Sequence, residues 1–92
     1  MKGFTVVSYD IPDDRRRARL HKTLKDFGTR VQFSVFECLL TEAQSSEMRR
    51  RIEAIIDPNE DHVRFYFLCR PCVRRIVPIG GKVTRDPRSH IV

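Results

Sequence analysis

The sequence predicts an α+β fold in which two β-α-β units interleave into one antiparallel sheet with both helices on the same face. Three observations predict it. Apolar residues follow strand-like and helix-like patterns in the order β-α-β-β-α-β. The stretches between them are short and carry Pro, Gly or Asp. The chain of 92 residues has room for one domain with a modest core.

Each element has a local reason. Residues 3–9, Gly3 to Tyr9, are rich in β-branched and aromatic side chains and read as a strand. Asp10 to Asp14 end it and open a helix, because Pro12 suits a first turn and acidic residues there complement the helix dipole. A helix over 13–27 places Leu20, Leu24 and Phe27 on one face, and Gly28 is the expected stop. Residues 29–40 are strand-like again. Twelve residues are long for one strand, so a kink or tight hairpin is expected near Phe33.

Thr41 to Gln44 has the spacing of a capping box, and the helix it opens, about 42–56, carries Met48, Ile52, Ile55 and Ile56 on one face. Asp57 to Asp61 is a turn, and 62–69 is the last central strand. A short extra strand is expected at about 75–79. The arrangement is ferredoxin-like, with a domain over 1–80 and a basic tail over 81–92.

The strands are apolar on both faces: Val6 opposes Val7, and Phe65 and Phe67 oppose Tyr66 and Leu68. With both helices on one side, the other sheet face would leave an apolar patch in water, which soluble monomers rarely do. A homodimer that covers the two bare faces follows as an expectation.

Charge points to the partner. The net charge is +6, and Arg outnumbers Lys 14 to 4. Guanidinium forks match phosphate oxygens two at a time. Residues 1–61 balance 11 basic against 11 acidic side chains, so the whole excess lies in 62–92. Nucleic acid is the partner class this favours, with an acidic membrane surface or a merely solvated tail as alternatives. No apolar run approaches membrane-spanning length, and Met1-Lys2-Gly3-Phe4 has no signal-peptide character, so a cytoplasmic protein with reduced cysteines is expected.

Three groups of residues are candidates for chemistry. Asp10 stands at the end of the first strand, where a two-fold dimer would bring two copies together. Two carboxylates so placed repel unless protonated or bridged by a cation, and Mg²⁺ suits that role. The alternative is that Asp10 caps the helix. Arg15, Arg16, Arg17 and Arg19 lie in the first helix, but successive helix residues are about 100° apart, so the run cannot share one face. Cys69 and Cys72 form C-x-x-C, which reads first as a structural turn, with half a metal site or a redox pair as alternatives. His21, His62 and His90 form no pattern.

The stretch Tyr9-Asp10-Ile11, the run Arg15-Arg16-Arg17, Leu20, Leu24, Phe27-Gly28 and the block Arg30-Val31-Gln32-Phe33-Ser34-Val35-Phe36-Glu37 together resemble the CRISPR-associated protein two family, over about residues 3–68. That family is the small partner of the CRISPR integrase in spacer acquisition. The resemblance implies a ferredoxin-like homodimer with sheets face to face and Asp10 of each subunit on a divalent metal, usually Mg²⁺, at the dimer axis. It implies a metal-dependent endonuclease acting on RNA or duplex DNA, or else a non-catalytic scaffold holding prespacer duplex for the integrase. Candidate nucleic-acid contacts are Tyr9, Arg15, Arg16, Arg17, Arg74, Arg75 and Arg85. In the family the last strand crosses to the partner's sheet; here Pro78 interrupts it, and Pro is tolerated only at a strand edge or bulge.

Overall fold

A computed structural model describes residues 2–80. The elements are β1 (Gly3–Asp10), α1 (Asp14–Leu24), β2 (Gly28–Gln32), β3 (Val35–Leu40), α2 (Glu42–Ile55), β4 (His62–Leu68) and α3 (Arg70–Arg74). The four strands form one sheet in the order β2-β3-β1-β4, antiparallel throughout. This is the interleaved β-α-β-β-α-β sheet that the hydrophobic pattern requires.

Register fixes the two faces, because directly opposed residues of neighbouring strands share a face. Val7 lies between Phe36 and Phe65, and Thr5 between Cys38 and Phe67. With Tyr9 and Leu40 this face meets Leu20 and Leu24 of α1 and Met48 and Ile52 of α2, and together they make the core. The opposite face carries Phe4, Val6, Ser8 and Asp10 from β1, Leu39, Glu37 and Val35 from β3, and Leu68, Tyr66, Arg64 and His62 from β4.

The α2 capping box is formed: the Thr41 hydroxyl accepts from the Gln44 amide and the Gln44 side chain accepts from the Thr41 amide. Ile55 and Ile56 are half-buried at its end and pack against the core. The expected break near Phe33 is a two-residue turn, Phe33-Ser34, between β2 and β3. It turns Phe33 outward, 87% exposed, with the Arg30 guanidinium 5.0 Å from its ring centre.

Gly28 differs from its expected role. Helix α1 ends at Leu24 with Lys25 as its cap, and Gly28 is already the first residue of β2. It is glycine for want of space: a Cβ there would stand 2.4 Å from the Glu37 carbonyl oxygen and 2.5 Å from the Cys38 sulfur. The expected strand at 75–79 is also replaced. The chain instead turns through α3, begun by Pro71 near its N-terminus and anchored by the buried Val73. Residues 76–79 pair with no strand among the described residues, and Val77 and Ile79 are exposed. Residues 81–92, including Arg85, lie outside the described residues.

Candidate functional site

β1 delivers Asp10 to the end of the sheet, directly opposite His62 at the start of β4. The helix that follows begins at Asp14, and its cap is Asp13, whose carboxylate accepts from the Arg16 amide at 2.9 Å. The capping task that Asp10 might have served is therefore filled. The Asp10 side chain is exposed and makes no hydrogen bond or ion pair among the described residues.

Two of the three candidate arginines in α1 hold the backbone around it. Arg17 donates from Nη1 to the Ile11 carbonyl at 2.9 Å and to the Pro12 carbonyl at 3.4 Å, and pairs with Asp14. Arg16 grips Asp61 and Glu60, tying the start of α1 to the start of β4. The Arg16 guanidinium holds the Asp61 carboxyl below the usual carboxylate range. These contacts brace both sides of the Asp10–His62 pair. Arg15 faces solvent, as does Arg19.

Tyr9 is also structural. Its ring is 5% exposed in the core and stacks near Phe36, while its hydroxyl donates to the Phe33 carbonyl at 3.2 Å. It fixes the β2–β3 turn and has no ring face to offer a base. Burial pushes its phenol pKa up.

His62 and Arg64 share Asp10's face of the sheet and were not visible as site residues in the sequence; only strand register places them there. The Arg64 Nη1 donates to the Tyr66 hydroxyl at 3.3 Å. Further along the face lie the half-buried Val6 and the buried Glu37, which oppose each other. Asp10 lines neither of two surface clefts, of about 730 and 430 Å³. An acidic group on an open sheet face suits a polymer or a second protein surface better than an enclosed small molecule.

Arg74 and Arg75 are exposed, but they follow the far end of β4. A seven-residue strand, rising about 3.3 Å per residue, separates them from His62 by roughly 20 Å. Within one chain the two arginine groups are therefore not one site. Among the described residues no cluster of three or more His, Cys, Asp or Glu side chains is arranged to hold a metal. Asp10 brings one carboxylate per chain to this end of the sheet, so a metal there fits only a cation that keeps most of its waters or takes a second carboxylate from another copy.

Comparison with known proteins gives this arrangement a context. Residues 1–76 match the family model described as CRISPR associated protein Cas2. The chain belongs to the Cas2 family. It is 44% identical over 93 residues to a CRISPR-associated endoribonuclease Cas2 of Chloroflexus aurantiacus, with 100% of both chains covered. It is 48% identical over 77 residues to a Cas2 endoribonuclease of Thermus thermophilus, covering 84% of this chain and 82% of that one. The crystal structure of Streptococcus pyogenes Cas2 superimposes with a TM-score of 0.76 at 35% identity, covering 84% of this chain and 99% of that one. A chain in a partial Cas6-RT-Cas1–Cas2 complex matches with a TM-score of 0.73 at 28% identity, covering 92% and 99%. The fold and family expected from the sequence are those found. No helix among the described residues is long and apolar enough to cross a membrane.

Proposed function

We propose that this Cas2-family chain is a cytoplasmic, nucleic-acid-handling homodimer of CRISPR spacer acquisition, working with the Cas1 integrase and cleaving RNA or duplex DNA with Mg²⁺ at paired Asp10 carboxylates. The observation that carries the reading is the Asp10 carboxylate itself, exposed, unpaired and braced by the Arg16 and Arg17 contacts on the open face of the sheet. Two such faces brought together would set two Asp10 groups near one axis, where their repulsion favours a shared cation. A Mg²⁺ held by the two Asp10 side chains would polarise a phosphate and lower the pKa of a bound water. His62, opposite Asp10 in the strand register, would hydrogen-bond a phosphate oxygen in this reading, and Arg64 on the same face would add positive charge. The half-buried apolar residues Val6, Val35, Leu39 and Leu68 give the two faces something to bury.

One observation favours a second reading. A single carboxylate per chain at this position, with no cluster of three or more acidic, histidine or cysteine side chains among the described residues, is a thin site for hydrolysis. A rigid dimer that holds prespacer duplex between integrase subunits needs no more than that. Cleavage of RNA and of duplex DNA by the wild type and by Asp10→Asn, each with Mg²⁺ and with EDTA, separates the two. The nuclease reading expects Mg²⁺-dependent cleavage that the Asp10→Asn protein lacks while remaining folded. Cleavage undiminished in the purified variant overturns Asp10 as the metal ligand, and no cleavage by the wild type leaves the scaffold.

A further inference from the structure

We infer that Cys69 and Cys72 form a reversible intrachain disulfide by exchange with low-molecular-weight disulfides, making the turn after β4 a thiol-modification site independent of the nuclease or scaffold reading. Both cysteines are free and exposed, whereas Cys38 is buried between β1 and β2. The separation of their Cα atoms is set by the conformation of the two residues between them, Arg70 and Pro71, and both are helical. A helical i,i+3 pair stands about 5 Å apart. That falls inside the window of about 4.4–6.8 Å that a disulfide spans without backbone movement. The turn is held by the Val73 amide donating to the Cys69 carbonyl and the Arg75 amide donating to the Cys72 carbonyl, both at 3.0 Å, so closure leaves its backbone bonds in place.

The two thiols are not equivalent. The Cys69 sulfur makes no formed cap hydrogen bond, yet the Cys72 amide and thiol beside it lower the Cys69 pKa, and Cys69 in turn raises that of Cys72. Along the chain the neighbours are basic: from His62 to Gly80 it carries Arg64, Arg70, Arg74 and Arg75 and no acidic residue. Burial instead pushes Cys38 up to about 11, leaving it inert. Cys69 is thus the attacking sulfur. Its thiolate displaces one half of a small disulfide, RS–SR, forming Cys69–S–S–R and releasing RS⁻, which takes a proton from water. The Cys72 thiol then gives up its proton and its thiolate attacks the Cys69 sulfur, releasing the second half as RSH. Two protein thiols are oxidised and one RS–SR is reduced to two RSH.

The test uses the reduced full-length protein, equilibrated with rising ratios of oxidised to reduced glutathione, quenched in acid, alkylated and mapped by mass. The expected product has lost two hydrogens, bridges Cys69 to Cys72, and leaves Cys38 open to alkylation only after denaturation. Cys72→Ser should trap one glutathione on Cys69, and Cys69→Ser should trap one on Cys72. Stable glutathione on both cysteines of the wild type overturns the proposal. So do covalent dimers in place of the internal bridge, or a stoichiometric zinc ion that blocks alkylation.

Discussion

The Arg16 guanidinium clamps both oxygens of the Asp61 carboxylate, Nε to Oδ2 at 2.8 Å and Nη2 to Oδ1 at 3.1 Å. The Asp61 side chain is 0% exposed, and its Oδ2 also accepts from the Asp57 amide at 2.8 Å. A residue that reads as a phosphate contact in the sequence is therefore spent inside the fold. Arg16→Ala should lower the thermal midpoint, measured by circular dichroism, because it strands a buried carboxylate. It should leave the salt dependence of DNA binding unchanged. A full-stability variant with a reduced salt slope would return Arg16 to the nucleic-acid surface.

The same pair sets a pH dependence. Arg16 depresses the Asp61 pKa in the folded chain relative to the unfolded value of about 3.9. A depressed carboxylate contributes stability that is fully present well above the unfolded pKa and is lost as pH falls towards the folded one. Acid titration of unfolding should therefore show stability falling below about pH 4–5, and Asp61→Asn should flatten that limb while lowering stability near neutrality. An unchanged acid limb in Asp61→Asn would sink the assignment.

Gly28 carries a packing prediction. Its missing Cβ is what lets β2 approach the Glu37 carbonyl, a backbone atom that cannot swing aside. Gly28→Ala should cost about 1–3 kcal/mol in urea unfolding, as overpacking of a well-filled core does. Stability within a few tenths of the wild type would show that the β2–β3 hairpin shifts freely.

How legible the sequence is depends on whether the cue is local. The Thr41–Gln44 capping box, the isoleucine stripe of α2 and the break at Phe33 are written within a few residues, and the structure has all three. The pairing of Asp10 with His62 depends on strands 52 positions apart, so nothing near His62 announces it. The fates of Tyr9 and Arg16 turn on partners supplied by the tertiary fold, Phe33 and Asp61 among them, whereas Arg17 finds its partners nearby at Ile11, Pro12 and Asp14. The extended look of 75–79 misled for a different reason. β-branched residues favour a strand only where a neighbouring strand exists to pair with, and the preceding C-x-P-C turn goes helical instead.

The open sheet face predicts assembly. Val6 and Tyr66 oppose each other at its middle, Val6 half-buried and Tyr66 46% exposed. Light scattering should give a dimer mass at micromolar concentration. Val6→Asp should shift it to monomer with the far-ultraviolet spectrum kept, since a dimer would have to bury two unpaired carboxylates. A wild type that stays monomeric at that concentration refutes the face-to-face dimer.

The final prediction concerns duplex binding, and the fold divides the candidate arginines into two sets. Arg16 and Arg17 are committed to Asp61, Glu60 and the Ile11 carbonyl. Arg15, Arg74 and Arg75 are exposed, and Arg85, beyond the described residues, joins them by its place in the basic segment. Both long helices are packed on the sheet, so neither is free to seat in a major groove, and contacts should go to phosphates. Each neutralised phosphate adds about 0.9 to the slope of log affinity against log salt. Single Ala substitutions at Arg15, Arg74, Arg75 and Arg85 should therefore each lower that slope by about one, equally on unrelated duplex sequences. Arg16→Ala and Arg17→Ala should lower stability and leave the slope alone. Arg15, at the His62 end of β4, and the Arg74–Arg75 pair, past its other end, stand roughly 20 Å apart in one chain, so a duplex touching both needs the second protomer to continue the surface. Affinity that ignores salt between about 50 and 200 mM, or one sequence bound far above the rest, would defeat the phosphate cradle.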